Sequence, residues 1–395
     1  MLSCLLAGTL VFGAALLSGC TKTVSQAKTN PENPTVIELW HYYNGPQKTA
    51  FDTEFNEAVG VEQGIVVEAS SQGSISELIK KVLDAANKKA GVEEIPQIFA
   101  AYPDTAYQVD NLGLVAGLDP YFTDEELARY VPGYIDEGRF DKAGSLKTFP
   151  VAKSTEVLML NKTDWDKFSQ ATGATTDSLK NIEGITEVAK AYYEWTDSLT
   201  PTPDDGKAFL GRDALANYFI IGAKQLGKEI FSVQNGEVTV NLDESVMRKL
   251  WDNYYTPYIN GYFTSIGKFR SDDAKTGDLI ALVGSTSGAG MVVSKWDEVT
   301  ECASCEFLKW FTEKNCNIDF SVGSGYLLVT KKANRAELVM AALDKMEDSV
   351  VATNLKSSLP VAIGMVSNHE MRTAAGGQNF KNHHAAPCGF ITNVG

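Results

Sequence analysis

Positive charge is in short supply along this chain of 395 residues: 35 Lys and Arg stand against 50 Asp and Glu, for a net charge of −15. Neutralising a phosphate backbone takes clustered cations, so no nucleic-acid partner is expected. The apolar run from Leu5 to Leu17 falls short of the roughly 20 residues that a membrane span needs, but has the length of a signal-peptide core. A G-x-S-x-G nucleophile elbow is absent, and the stretch Gly284 to Gly288 (GSTSG) lacks the Lys of a phosphate-binding loop. What remains is ordinary globular usage, 44% hydrophobic and 22% charged. At roughly 100–200 residues per domain, the chain has room for two or three domains and a substantial core.

Residues 1–19 carry no charge and end in Leu17-Ser18-Gly19-Cys20. Those four residues resemble the lipobox of bacterial lipoproteins, which implies that 1–19 is a signal peptide and that Cys20 is lipidated; simple secretion is the alternative. No Lys or Arg precedes the run, which puts the expected start upstream. Residues 20–35 are polar and interrupted by Pro31 and Pro34, the composition of a flexible tether. At about 0.8 kcal/mol per buried CH₂, lipid chains on Cys20 would hold the body at a membrane surface outside the cytoplasm. Cys302 and Cys305 form a CxxC, but VTECASCEFLKWFTE reads as a helix with Val299, Cys302, Phe307 and Trp310 near one face. They are expected as small core residues, and neither a metal site nor a cofactor is expected.

From Val36 the pattern alternates: strand 36–40, helix 47–59, strand 65–69, helix 75–90, strand 97–102. In the second helix Ile75, Leu78, Ile79, Val82, Leu83 and Ala86 fall on one stripe. Such alternation predicts an α/β body with a mostly parallel sheet covered by helices, and ligands of such sheets bind beyond the carboxyl ends of the strands. Here those ends read Trp40 to Gly45, Ser70 to Ser74 and Tyr102 to Thr105. Rings with amides and hydroxyls, and no obvious nucleophile, suit a small polyhydroxylated ligand; strand-to-helix loops are also rich in Ser, Asn and Gly for turns and caps alone. Trp195, Trp251, Tyr254 and Tyr255 recur at helical spacing and are expected mostly in the core.

The segment GSLKTFPVAKSTEVLMLNK (144–162) resembles the crossover into the second lobe of the extracellular solute-binding proteins of bacterial ABC transporters, in the large sugar and glycerol-phosphate type family. VIELWHYYNG, residues 93–122, TGDLIALVGSTSG (276–288) and residues 305–333 resemble other parts of it, over about 36–370 in all. The resemblance implies a two-lobed, periplasmic-binding-protein-like (type II) fold, each lobe a mostly parallel sheet flanked by helices. Lobe 1 would take 36–148 plus about 289–330, and lobe 2 149–288 plus about 331–370. It implies a monomer that binds its solute in the cleft and closes on it, delivers it to ABC permease subunits, and makes or breaks no bond. Carried over by motif, first-lobe contacts fall at Tyr43, Asn44, Ser71, Gln72, Tyr102 and Asp104. Second-lobe contacts fall at Ser154, Glu156, Arg212, Asp213, Ser285 and Ser287. Glu156 could instead be a surface strand charge, and Arg212 could pair with Asp213 or cap its helix.

Two departures stand out. The family separates its counterparts of GSTSG and GAGMVV by a hinge-crossing strand, whereas 284–295 runs them together, which implies an internal deletion near 288–289. Residues 371–395 lose amphipathic periodicity and are expected to be an irregular, truncated or frame-shifted tail, with His383, His384 and Cys388 in it. Three alternatives to a working receptor follow: a defective family member, a secreted carbohydrate-active hydrolase with a carboxylate pair, and a non-transport surface receptor. A penicillin-binding-type reading of Ser25 to Lys28, Ser271 to Asp273 and Lys275 to Gly277 fails because Ser25 lies in the tether and the latter two motifs are separated by Ala274 alone.

Overall fold

The computed structural model describes residues 28–363 with short gaps (52–54, 155, 235–236, 268, 285–287, 289, 347–351, 354, 357–358 and 361), together with 390–392. Cys20 and most of the expected tail therefore lie outside the described residues. Among the described residues, ten strands form two four-stranded sheets and a hairpin. The first sheet has β1 (Thr35–His41), β2 (Ile65–Ser71), β3 (Ile98–Ala101) and β9 (Gly290–Val293) in the order β2-β1-β3-β9. The second has β4 (Val157–Leu160), β5 (Leu210–Arg212), β8 (Ala281–Gly284) and β10 (Phe390–Thr392) in the order β10-β4-β8-β5, and β6 (Phe231–Gln234) pairs with β7 (Glu237–Val240). Each sheet is parallel except for one antiparallel neighbour pair, β3 with β9 and β4 with β8.

Local chemistry accounts for the elements. The helix Ile75–Ala86 opens on a capping box, with Ser74 accepting from the backbone N–H of Glu77 while the Glu77 carboxylate takes the N–H of Ser74, and it buries Leu78, Val82, Ala85 and Ala86. Over the expected helix 47–59 the described residues are helical, as an α-helix (Gly45–Phe51), a π-helical turn (Asn56–Gly60) and a further α-turn (Val61–Gln63), with 52–54 outside the described residues, and Gly64 closes the run with φ +70°. The first-lobe core gathers Trp40, Phe99, Phe122, Phe149, Phe311 and Tyr326 with both Cys302 and Cys305. At roughly 1.5–3 kcal/mol per fully buried large apolar side chain, such clusters carry most of the stability of each lobe. A separate core in the second lobe packs Trp165, Phe168, Tyr192, Phe209 and Phe263 on β4, β5 and β8. Trp195 and Tyr254 pack against that core, whereas Trp251 and Tyr255 stack on each other on the outside of the helix Glu244–Ile259, contrary to the core expectation for both.

Two chain segments link the two four-stranded sheets. Phe149 pairs with Met291 of β9, and the chain then runs to the start of β4, where Val157 lies opposite Gly284. From Gly284, the end of β8, five residues lead to Gly290, which starts β9 opposite Ala101 at the end of β3. Hence the carboxyl ends of β3 and β8 adjoin the crossing at 284–290, with β1 and β5 paired beside them in their sheets. Residues from 331 onward, expected with the second lobe, pack elsewhere: Val339, Leu343, Leu359 and Ile363 share a cluster with Ile318 and Val322 of the helix Lys314–Ser324, which packs on Gly45–Phe51 of the first lobe. Within the tail expected to be irregular, Phe390–Thr392 forms an edge strand on β4.

Candidate functional site

The first-lobe wall is built by the loops after β1, β2 and β3. Tyr43 is fully buried, with its ring centroid 4.8 Å from Phe51, 5.4 Å from Phe320 and 6.0 Å from Tyr326. Burial, with the neighbouring Tyr326 and Tyr102 phenols adding, pushes its pKa well above the ordinary tyrosine value. Its hydroxyl makes no hydrogen bond among the described residues. Tyr42 reaches Tyr326, hydroxyl to hydroxyl, at 3.4 Å.

Asn44 ties the loops together. Its amide donates to the Tyr42 and Gly73 carbonyls (2.9 and 3.0 Å), and its Oδ1 accepts from Ser71 Oγ (3.2 Å). Gln72 donates to Ser70 Oγ (2.7 Å) and accepts from Lys81 Nζ (2.8 Å). Lys81 in turn pairs with Glu93 and lies 4.3 Å from the centroid of the Trp40 ring. Tyr102 is half-buried at the head of the helix Pro103–Asp110, and the exposed Asp104 carboxylate accepts from the Thr105 N–H (2.8 Å).

On the second lobe, Glu156 precedes β4 and Arg212 ends β5. The two side chains form an ion pair, and Asn217 Nδ2 donates to the other Glu156 oxygen (3.2 Å). The Arg212 guanidinium lies 5.4 Å from the Tyr218 ring centroid, and its Nε is buried without a hydrogen bond among the described residues. Among the described residues, Arg212 neither caps a helix nor pairs with Asp213. Asp213 instead accepts the backbone N–H of Arg270 (3.2 Å), and Arg270 Nε lies 3.5 Å from the same oxygen. Arg270 is itself buried in an ion pair with Asp273.

The walls meet at Lys153. Its backbone exchanges hydrogen bonds with Leu327 (3.2 and 2.6 Å), which follows Tyr326, and its Nζ donates to Glu137 at 2.6 Å. A Cβ added to Gly288 would stand 2.8 Å from Lys153 Cα and 2.9 Å from Ser154 N, so the two crossing segments touch there. Ser285 and Ser287 lie outside the described residues. The structure thus groups Tyr43, Asn44, Ser71, Gln72, Tyr102 and Asp104 at one sheet end and Glu156, Arg212 and Asp213 at the other, with Ser154 on the segment between. Tyr326, Asn217 and Arg270 belong to these groups and were not singled out in the sequence, and Tyr42 was named there only as part of the strand end Trp40 to Gly45. Two surface hollows of about 350 and 370 Å³ sit elsewhere, around Gln63 and Cys302 and around Lys80 and Glu93, and contain none of these residues.

Residues 50–292 match the model of the bacterial extracellular solute-binding proteins, well over half of the chain. The chain belongs to that family. No curated protein matches it. Among solved structures, this solute-binding protein is similar to the cyclic α-maltosyl-1,6-maltose binding protein of Arthrobacter globiformis, at 14% identity and a TM-score of 0.64 over 85% of this chain and 98% of that one. It is similar also to UgpB of Mycobacterium tuberculosis, solved with glycerophosphocholine (17%, TM-score 0.59, 85% and 97% covered). A third is the galacto-N-biose and lacto-N-biose I-binding protein of Bifidobacterium longum (15%, TM-score 0.59, 86% and 94%). At such identities the likeness is one of fold, and it makes the architecture a two-lobed type II periplasmic-binding fold. No helix among the described residues is long and apolar enough to cross a membrane.

Proposed function

We propose that this protein is a lipid-anchored receptor that captures a carbohydrate or glycerol-phosphate-type solute between its lobes and delivers it to an ABC importer. One observation carries the reading: the strand ends that bear rings and amides in one sheet, and those that bear charged pairs in the other, adjoin the two segments, 149–157 and 284–290, that link the sheets. A solute that touches both ends binds the closed form better than the open one, and so shifts an equilibrium that exists without it. The solutes named for the similar structures, maltosyl sugars, lacto-N-biose and glycerophosphocholine, belong to the classes such walls suit.

Non-enzymatic action is part of the reading. The second-lobe carboxylates Glu156 and Asp273 are each engaged by an arginine, the arrangement of a charge framework. Incubation with labelled mono- and oligosaccharides separates retention from reaction: stoichiometric retention is expected, and turnover would defeat the proposal. Lipidation at Cys20 is checked by the mobility and mass of the chain against a Cys20→Ala variant expressed in a bacterium.

A further inference from the structure

The tether expected over residues 20–35 is not free along its whole length. From Thr29 onward it is docked on the turn that leads into β2. The Thr29 hydroxyl donates to the Gln63 carbonyl, and the Thr35 N–H donates to the Gly64 carbonyl at 2.9 Å. Between them the chain turns on itself, Asn33 N–H bonding the Asn30 carbonyl at 3.0 Å. Gly64 is the point of closest approach: its φ of +70° suits glycine, and a Cβ there would stand 2.6 Å from Pro31 N. Thr29 and Pro31 also wall the hollow of about 350 Å³ whose far side is Cys302, Ala303 and Glu306 of the helix Glu298–Phe311.

This strap lies at the far end of the sheet from the candidate site. Thr35 opens β1 opposite Ile65, which opens β2, so the strap and the turn beneath it sit at the amino ends of both strands. The loops that carry Tyr43, Asn44 and Gln72 leave from the carboxyl ends. The seven residues of β1, at about 3.3 Å each, separate the two ends by about 20 Å.

Docking shortens the reach of anything attached at Cys20. With the strap in place, the chain between Cys20 and Thr29 is the eight residues 21–28, which span at most about 28 Å. With the strap released, the free stretch is the fourteen residues 21–34, and its limit rises to about 49 Å. The shorter reach would be nearly used up in running back along the sheet, so a body anchored through it presents its strap end to the membrane. Charge does not hold that end there: the charged residues that line the hollow are Glu62 and Glu306, both acidic, and anionic headgroups attract clustered Lys and Arg.

We infer that residues 29–34 form a detachable strap that turns the amino-end face of the first lobe towards the membrane and keeps the candidate site away from it until the strap lets go. The inference rests on the lipid-anchored receptor reading above and adds an orientation to it. Energy transfer from a fluorescent residue placed at Glu62 or at Asp104 to an acceptor lipid in phosphatidylcholine vesicles tests it. The chain is held through lipidated Cys20 or, so that the result does not hang on lipidation, through a histidine tag in place of residues 1–20 on a nickel-chelating lipid. Transfer from position 62 should exceed that from position 104 by at least about 2-fold, given ends about 20 Å apart, and should not change with added anionic lipid. Gly64→Val, which drives a side chain into Pro31, should bring the two efficiencies together. Thr29→Ala with Thr35→Pro removes both hydrogen bonds to the turn, leaves Gly64 in place, and should do the same with cooperative melting retained. Equal transfer from the two positions in the parent, or a difference that neither variant lowers, would overturn the strap. Retention of labelled sugar in solution does not involve the strap, so its loss would count against the receptor reading and leave the orientation standing.

Discussion

Ala214 adopts φ +49° and ψ +59°, a left-handed conformation that costs an alanine about 1–2 kcal/mol. It sits between Asp213 and the helix Leu215–Gln225, so the strained turn sets the direction in which Asp213 leaves β5. Ala214→Gly relieves that strain but adds unfolded-state freedom, and should raise stability by about 0.5–1 kcal/mol in urea titration; a loss would show that the turn is unstrained. Asp273→Ala leaves the buried Arg270 without its main partner and should cost about 3–5 kcal/mol, whereas Arg270→Met with Asp273→Leu should cost much less. Glu156, Arg212 and Asp213 could be singled out as candidates because they lie on stretches that resemble the family; their contact with a solute is part of the proposal. Arg270 was not singled out, since its burial goes with contacts to Asp273, Asp213 and the Gly267 carbonyl that no local pattern announces. Tyr326 was invisible for a related reason: it meets Tyr42 across 284 residues of sequence, and no local pattern encodes such a contact.

Strands of the first lobe were readable almost to the residue. The expected 36–40, 65–69 and 97–102 became Thr35–His41, Ile65–Ser71 and Ile98–Ala101, because β-branched runs bounded by turn residues leave few alternatives. Helix 75–90 lost only its last turn, past Ala86. The π-helical turn within 47–59 was unreadable, since it goes with Asn56 bonding the backbone of Val67 on β2 (2.8 and 2.9 Å), a non-local interaction. The order β3-β9 was equally hidden, because it joins segments almost 200 residues apart. At this scale the crossing segments are the sensitive elements. Gly288→Ala pushes a Cβ to 2.8 Å from Lys153 Cα, backbone against backbone. It should destabilise the chain by about 1–3 kcal/mol and change the ligand-free radius of gyration in solution scattering. An unchanged scattering profile with parent stability would mean that the two crossings are not in contact.

On the scale of the whole molecule, buried phenols tie stability to high pH in both lobes. Burial above all drives Tyr130 in the first lobe, and Tyr192 and Tyr218 in the second, up to about 12 from an ordinary 10, and burial likewise raises Tyr43 well above its ordinary value. A raised folded-state pKa favours the neutral form in the native protein. The contribution is therefore fully present below about pH 10, where the unfolded phenols are also neutral, and is lost as the pH rises from there towards about 12. Urea midpoints should hold steady up to about pH 9.5 and fall steeply above it. Lysine deprotonation acts in the same range by breaking ion pairs, so the share of one phenol is isolated by substitution. Tyr43→Phe removes a buried hydroxyl that has no partner among the described residues, and should be neutral or stabilising by up to about 1 kcal/mol near neutral pH while flattening the alkaline fall. Because Tyr43 underlies only the first-lobe wall, a variant that flattens the fall of first-lobe probes and leaves the Trp165 and Trp195 fluorescence transition of the second lobe unmoved would show that the lobes unfold as separate units. Coincident shifts of both would show that the segments through Lys153 couple them into one.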